Sequence, residues 1–139
     1  RRNDWTRATS AFEASVESNP DSPKAHYNLG LAYQRMGQTQ LAHEQYEWAI
    51  ELQPKLIPAQ ANLARLLAKE KNWPQAAIHF EKVIQARPRD ETSHYNLGVA
   101  LAMQDKWKEA AEQFQVALKL RPDFSQARKY LERVKEKLQ

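Results

Sequence analysis

The four histidines, His26, His43, His79 and His94, are the side chains best equipped to ligate a metal or to move a proton near neutral pH. Their placement argues against both. No two of them stand at the i, i+4 spacing of a helical metal site. The chain has no cysteine, which removes disulfides, thiolate nucleophiles and cysteine–zinc sites. No serine elbow, phosphate-binding loop or cluster of carboxylates accompanies the histidines. The residues therefore point to a chain without catalytic, metal or cofactor-binding groups. His26 and His94 fall 68 residues apart and share one packing position.

The chemistry that does recur is that of amides. Asn28, Asn62 and Asn96 follow one another at intervals of 34. Each offers a donor and an acceptor. Each precedes a leucine (Leu29, Leu63, Leu97) by one residue and so points off the stripe to which that leucine belongs. Such a row can pair with successive peptide units of an extended ligand whatever its sequence. Trp5, Trp73 and Trp107 share one register of the same period, which makes them packing residues between helices rather than platforms for nucleic-acid bases. Trp48, beside Ala49, falls outside that pattern and is a candidate surface contact.

The elements that must hold these residues follow from the period itself. Proline stands at 20, 54, 88 and 122, alanine at 8, 42, 76 and 110, an aromatic at Phe12, Tyr46, Phe80 and Phe114, and leucine at 29, 63, 97 and 131. Within a period Ala25, Leu29, Ala32, Tyr33 and Met36 form one helical stripe, and Ala42, Tyr46, Ala49 and Ile50 form a second. Gly37-Gln38, Lys71-Asn72 and Asp105-Lys106 break the two apart, and proline closes the second helix. Gly30 and Gly98 are expected to face Ala42 and Ala110, permitting a close helix crossing.

These residues, above all the runs Tyr27-Asn28-Leu29-Gly30 and Tyr95-Asn96-Leu97-Gly98 with Ala42, Tyr46 and Pro54, or Ala110, Phe114 and Pro122, resemble the tetratricopeptide repeat family. The resemblance implies an all-α fold, a right-handed α-solenoid of stacked antiparallel helix pairs. Residues 1–139 then read as a single array. Residues 1–22 are the second helix of a truncated repeat, 23–56, 57–90 and 91–124 are full repeats, and 125–139 are a C-terminal capping helix with Glu132 and Lys135 on its polar face. The N-terminus reads as cut from a longer array. Trp48 is placed on the convex face.

The family's first helices face a concave groove. The resemblance thereby assigns a peptide-binding surface to Lys24, Tyr27, Asn28, Leu31, Arg35, Asn62, Arg65, Lys69, Tyr95, Asn96, Val99 and Met103, with Ala61, Thr92, Lys129 and Arg133 beside them and Glu91 at one edge. The carboxylate clamp of the family's co-chaperone branch does not carry over. Its places hold Tyr27, Leu31, Asn62, Thr92 and Asn96, or one repeat later Ala61, Arg65, Asn96, Gln126 and Tyr130, and only the asparagine matches.

A net charge of +4 and a pI near 9.4 tilt the partner toward an acidic surface. The function expected is a non-catalytic scaffold that binds an extended or amphipathic, acidic peptide or partner protein in its groove. No cofactor and no membrane insertion are expected, and the exposed N-terminal helix offers a route to self-association. The rivals are a nucleic-acid-binding helical repeat and an accessory or spacer array of a larger enzyme or membrane-associated protein.

Overall fold

The computed structural model describes residues 1–139 as eight α-helices with no strand. They are α1 (Arg2–Ser18), α2 (Pro23–Arg35), α3 (Thr39–Leu52), α4 (Ile57–Lys69), α5 (Trp73–Ala86), α6 (Glu91–Ala102), α7 (Trp107–Leu120) and α8 (Ser125–Lys137). None is long and apolar enough to cross a membrane. The chain divides into two compact units, Arg1–Leu66 and Leu67–Gln139, with the boundary inside α4.

Each helix begins and ends for a local reason. Ser22 caps α2 by accepting from the Ala25 N–H at 3.1 Å, and Pro23 follows as the first helical residue. Asp90 caps α6 in the same way through the Ser93 N–H. The turns after α2, α4 and α6 each need one left-handed residue: Gly37 at φ 75°, Lys71 at 63° and Asp105 at 60°. The next amide then reaches back to a helix carbonyl, Gln38 to Tyr33, Asn72 to Leu67 and Lys106 to Leu101. Only Gly37 adopts this geometry without a Cβ penalty.

In the first unit α2 packs on α3 and α1 packs on α2. Leu29, Ala32, Ala42, Tyr46 and Ala49 form the core, and Tyr46 is wholly enclosed. Its hydroxyl donates to Gln34 Oε1 at 2.6 Å. Phe12 holds the same register in α1 but stays half-buried, because α1 meets α2 on one side only. In the second unit α5, α6, α7 and α8 pack in succession. Phe114 is buried at 0%, within a ring cluster of Tyr95, Phe124 and Tyr130. Glu132 and Lys135 on α8 are exposed.

Two packing expectations change. A Cβ on Gly30 would come within 2.8 Å of the Tyr46 ring, and one on Gly98 within 2.7 Å of the Phe114 ring. What each glycine most directly makes room for is the aromatic ring four residues beyond Ala42 or Ala110. The recurring tryptophans Trp5, Trp73 and Trp107 are half-buried and not enclosed. Trp73 and Trp107 open their helices, where part of an indole stays in solvent.

Candidate protein-interaction site

Two of the histidines, His26 and His94, are parts of the frame. His26 Nε2–H donates to the Pro20 carbonyl at 2.7 Å, and Nδ1 lies 2.7 Å from the Gln45 side-chain amide. His94 repeats this with Pro88 and Gln113, both at 2.8 Å. Gln60 and Arg128 occupy the same register and donate to the carbonyls of Pro54 and Pro122. One polar side chain per period thus ties the first helix to the preceding proline turn. Three different residue types do it, which hid the device from a reading of residue identity. His43 pairs with Glu47 at 3.2 Å on the surface of α3. No group of histidine and acidic side chains could hold a metal ion.

In the first unit Lys24, Tyr27, Asn28, Leu31 and Arg35 fall on one face of α2 by their i, i+3, i+4, i+7, i+11 spacing. Lys24 and Arg35 are exposed, and Tyr27, Asn28 and Leu31 are half-buried. Arg35 lies over the Trp5 ring, 5.6 Å from its centroid. From α4, Asn62 donates to the Tyr27 hydroxyl at 3.4 Å and accepts from the Arg65 guanidinium. Asn62 is therefore 8% exposed and engaged at both ends of its amide, whereas the sequence suggested an amide presented to solvent. The physical reason is its neighbourhood: Arg65 stands three residues on along α4, and Tyr27 reaches it from α2.

Beneath this surface sits the Tyr46 hydroxyl. Burial pushes its pKa up to about 12, assisted by Tyr27, while Asn62, Arg65 and Arg35 act in the opposite sense. Arg35 and Arg65 themselves are exposed.

In the second unit Tyr95, Asn96, Val99 and Met103 lie along α6 and its C-terminal cap. Tyr95 is half-buried, its centroid 4.9 Å from Phe124, and burial raises its pKa, with Tyr130 contributing. Asn96 and Val99 are half-buried, and Met103 is 53% exposed. Lys69, Thr92, Lys129 and Arg133 are exposed. Asn96 and Lys69 thus belong to a different unit from Asn28 and Asn62.

Trp48 is 52% exposed and stacks on His26 with centroids 5.9 Å apart. It lies beside Glu44, Glu47 and Glu51 on the outer side of α3, in a shallow hollow of about 260 Å³.

Family models described as tetratricopeptide repeat match residues 23–56 and 61–125, and one described as TPR repeat matches residues 1–37. No curated protein matches the chain by sequence. Among solved structures the chain is similar to MamA. A structure of MamA AMB-1 superposes with a TM-score of 0.91 at 22% identity, covering 98% of this chain and 74% of that one. MamA 41-end from Desulfovibrio magneticus RS-1 gives 0.81 at 23% identity, covering 98% and 86%. YrrB, described as a TPR protein with an unusual peptide-binding site, gives 0.78 at 25% identity over 90% of this chain and 64% of that one. The first TPR of Spaghetti (RPAP3), solved with the HSP90 peptide SRMEEVD, gives 0.75 at 18% identity over 84% and 93%. These likenesses establish the fold as the TPR type of helical solenoid, and with the family models over 1–37, 23–56 and 61–125 the chain belongs to the tetratricopeptide repeat family.

Proposed function

We propose that the chain is a non-catalytic protein-interaction scaffold that takes an extended, acidic segment of a partner protein on the first-helix surface. Tetratricopeptide scaffolds are generally non-catalytic, and the peptide-binding sites named for YrrB and for the first TPR of RPAP3 support a ligand of this class. The observation that supports the acidic preference is the exposure of three cations, Lys24, Arg35 and Arg65, on the first helices of the first unit. Arginine pairs with carboxylates through two parallel hydrogen bonds, so exposed guanidiniums suit an acidic ligand. Asn28 offers its amide to the ligand backbone. Asn62 acts through its neighbours, fixing Arg65 and Tyr27 in the bound orientation. In the second unit, taken by itself, Asn96, Val99 and Met103 offer an amide and apolar contacts of the same kind.

Calorimetric titration with a blocked acidic peptide tests this reading. The double variant Arg35→Glu, Arg65→Glu should lose about tenfold or more in affinity, because two attractive charges become repulsive. An isosteric peptide carrying glutamine for glutamate should bind the wild type about as weakly. Equal affinity of wild type and double variant for the acidic peptide would sink the assignment.

A further inference from the structure

The two units differ at one repeated position in a way that leaves an open receptor in the second. In the first unit the Tyr33 hydroxyl, carried by α2, donates to Glu13 Oε1 of α1 at 2.7 Å. Glu44 of α3 bears on the same hydroxyl. Sixty-eight residues further on, Glu13 recurs as Glu81 and Glu44 as Glu112, but Tyr33 is replaced by Leu101. Both carboxylates are kept, and the hydroxyl that in the first unit donates to Glu13 has no counterpart.

At that place the second unit has a hollow of about 340 Å³. Ile84, Leu97 and Leu101 form its apolar lining, with Leu97 and Leu101 only 3% and 5% exposed. Glu81, Glu109 and Glu112 line the rest together with the amides of Gln85 and Gln113. Glu109 stands where the first unit has Leu41, which adds a carboxylate. No lysine, arginine or histidine lines the hollow, although the whole chain is basic. Gln113 is held by its contact to His94, which fixes one wall. The carboxylates do not converge closely enough to hold a metal ion.

An apolar floor under carboxylates suits a side chain with a methylene stem and a cationic head. Several acceptors spread around one opening suit a group with several donors. We propose that this hollow receives an arginine or lysine side chain of a partner protein, its stem on Ile84, Leu97 and Leu101 and its cation among Glu81, Glu109 and Glu112. The contact uses the side of α6 toward α5 and α7, where neither Asn96 nor Met103 takes part.

The test is a methyl-NMR titration of the 139-residue chain with a blocked hexapeptide of alternating arginine and alanine. A second hexapeptide with citrulline for arginine serves as the uncharged control. The arginine peptide should shift the methyls of Ile84, Leu97 and Leu101, and the citrulline peptide should leave them in place. Leu101→Tyr installs the arrangement of the first unit, so it should fold normally and weaken binding on the order of tenfold. The variant Glu81→Gln, Glu112→Gln alters only exposed carboxylates and should weaken binding to a similar degree, which keeps the test valid if the tyrosine is not accommodated. Shifts centred elsewhere, equal response to both peptides, or undiminished binding by the glutamine variant would overturn the proposal. Dimerisation of the chain that Leu101→Tyr abolishes would make a second copy the occupant and would overturn the assignment to a separate partner.

Discussion

Asn28 and Asn62 share a register and differ in circumstance. The first is half-buried on α2, and the second is enclosed between the Tyr27 hydroxyl and the Arg65 guanidinium. Removing a buried amide that serves two partners costs about 1 kcal/mol, reduced where water can reach those partners. Asn62→Ala should therefore lower the unfolding free energy by about 0.5–1.5 kcal/mol, with Asn28→Ala within about 0.5 kcal/mol of wild type. Urea denaturation of the two variants checks this, and identical midpoints would contradict the enclosure of Asn62. The tyrosines add a pH dependence. Burial, and for Tyr33 the bond to Glu13, hold the Tyr33 and Tyr46 hydroxyls protonated up to about 12. In the unfolded chain a phenol ionises near 10. Between those values the unfolded state binds fewer protons than the native state, so stability is intact below about pH 10 and falls as pH rises toward 12. Melting curves across that window should fall less steeply for Tyr33→Phe than for wild type.

At the scale of the helices, the close approach of α6 to α7 depends on Gly98. A Cβ there would meet Phe114, which is wholly enclosed and cannot swing away. Gly98→Leu should therefore cost about 1–3 kcal/mol or more through overpacking. Glu132 takes the equivalent register on α8, where the side chain is exposed. Glu132→Leu should leave the melting temperature nearly unchanged, and equal losses for the two variants would refute the outward orientation of that face. The proline-turn ties show the same economy between periods. His26, Gln60, His94 and Arg128 all reach the carbonyl of the proline six residues earlier. A turn carbonyl needs one donor, and imidazole, amide and guanidinium each supply one.

For the molecule as a whole, a net charge of +4 makes association with any anionic partner sensitive to salt. Binding of the acidic peptide should weaken several-fold between about 50 and 300 mM salt, as expected for a few partly screened ion pairs. A short RNA should show no saturable binding at either concentration. Anisotropy titrations of both ligands decide this, and a steep salt slope with tight RNA binding would favour the nucleic-acid reading instead.

The 34-residue recurrence of proline, alanine, aromatic and leucine determined the helices, their turns and the family, because a packing stripe depends on local spacing that a sequence displays directly. The same recurrence could not tell an offered asparagine from an engaged one. Asn28, Asn62 and Asn96 share a register along the chain, and the approach of Tyr27 and Arg65 to Asn62 separates it from the others. Residue identity likewise concealed the shared role of His26, Gln60 and Arg128, since the function lies in a donor's position and not in its type. The acidic hollow was less legible still. Glu81, Glu109 and Glu112 stand on two different helices, and the hollow they share with Leu97 and Leu101 appears only when those helices are packed together. Local periodicity governs which residues face inward, whereas the volume left between inward-facing side chains depends on all of them together, and that only the folded molecule decides.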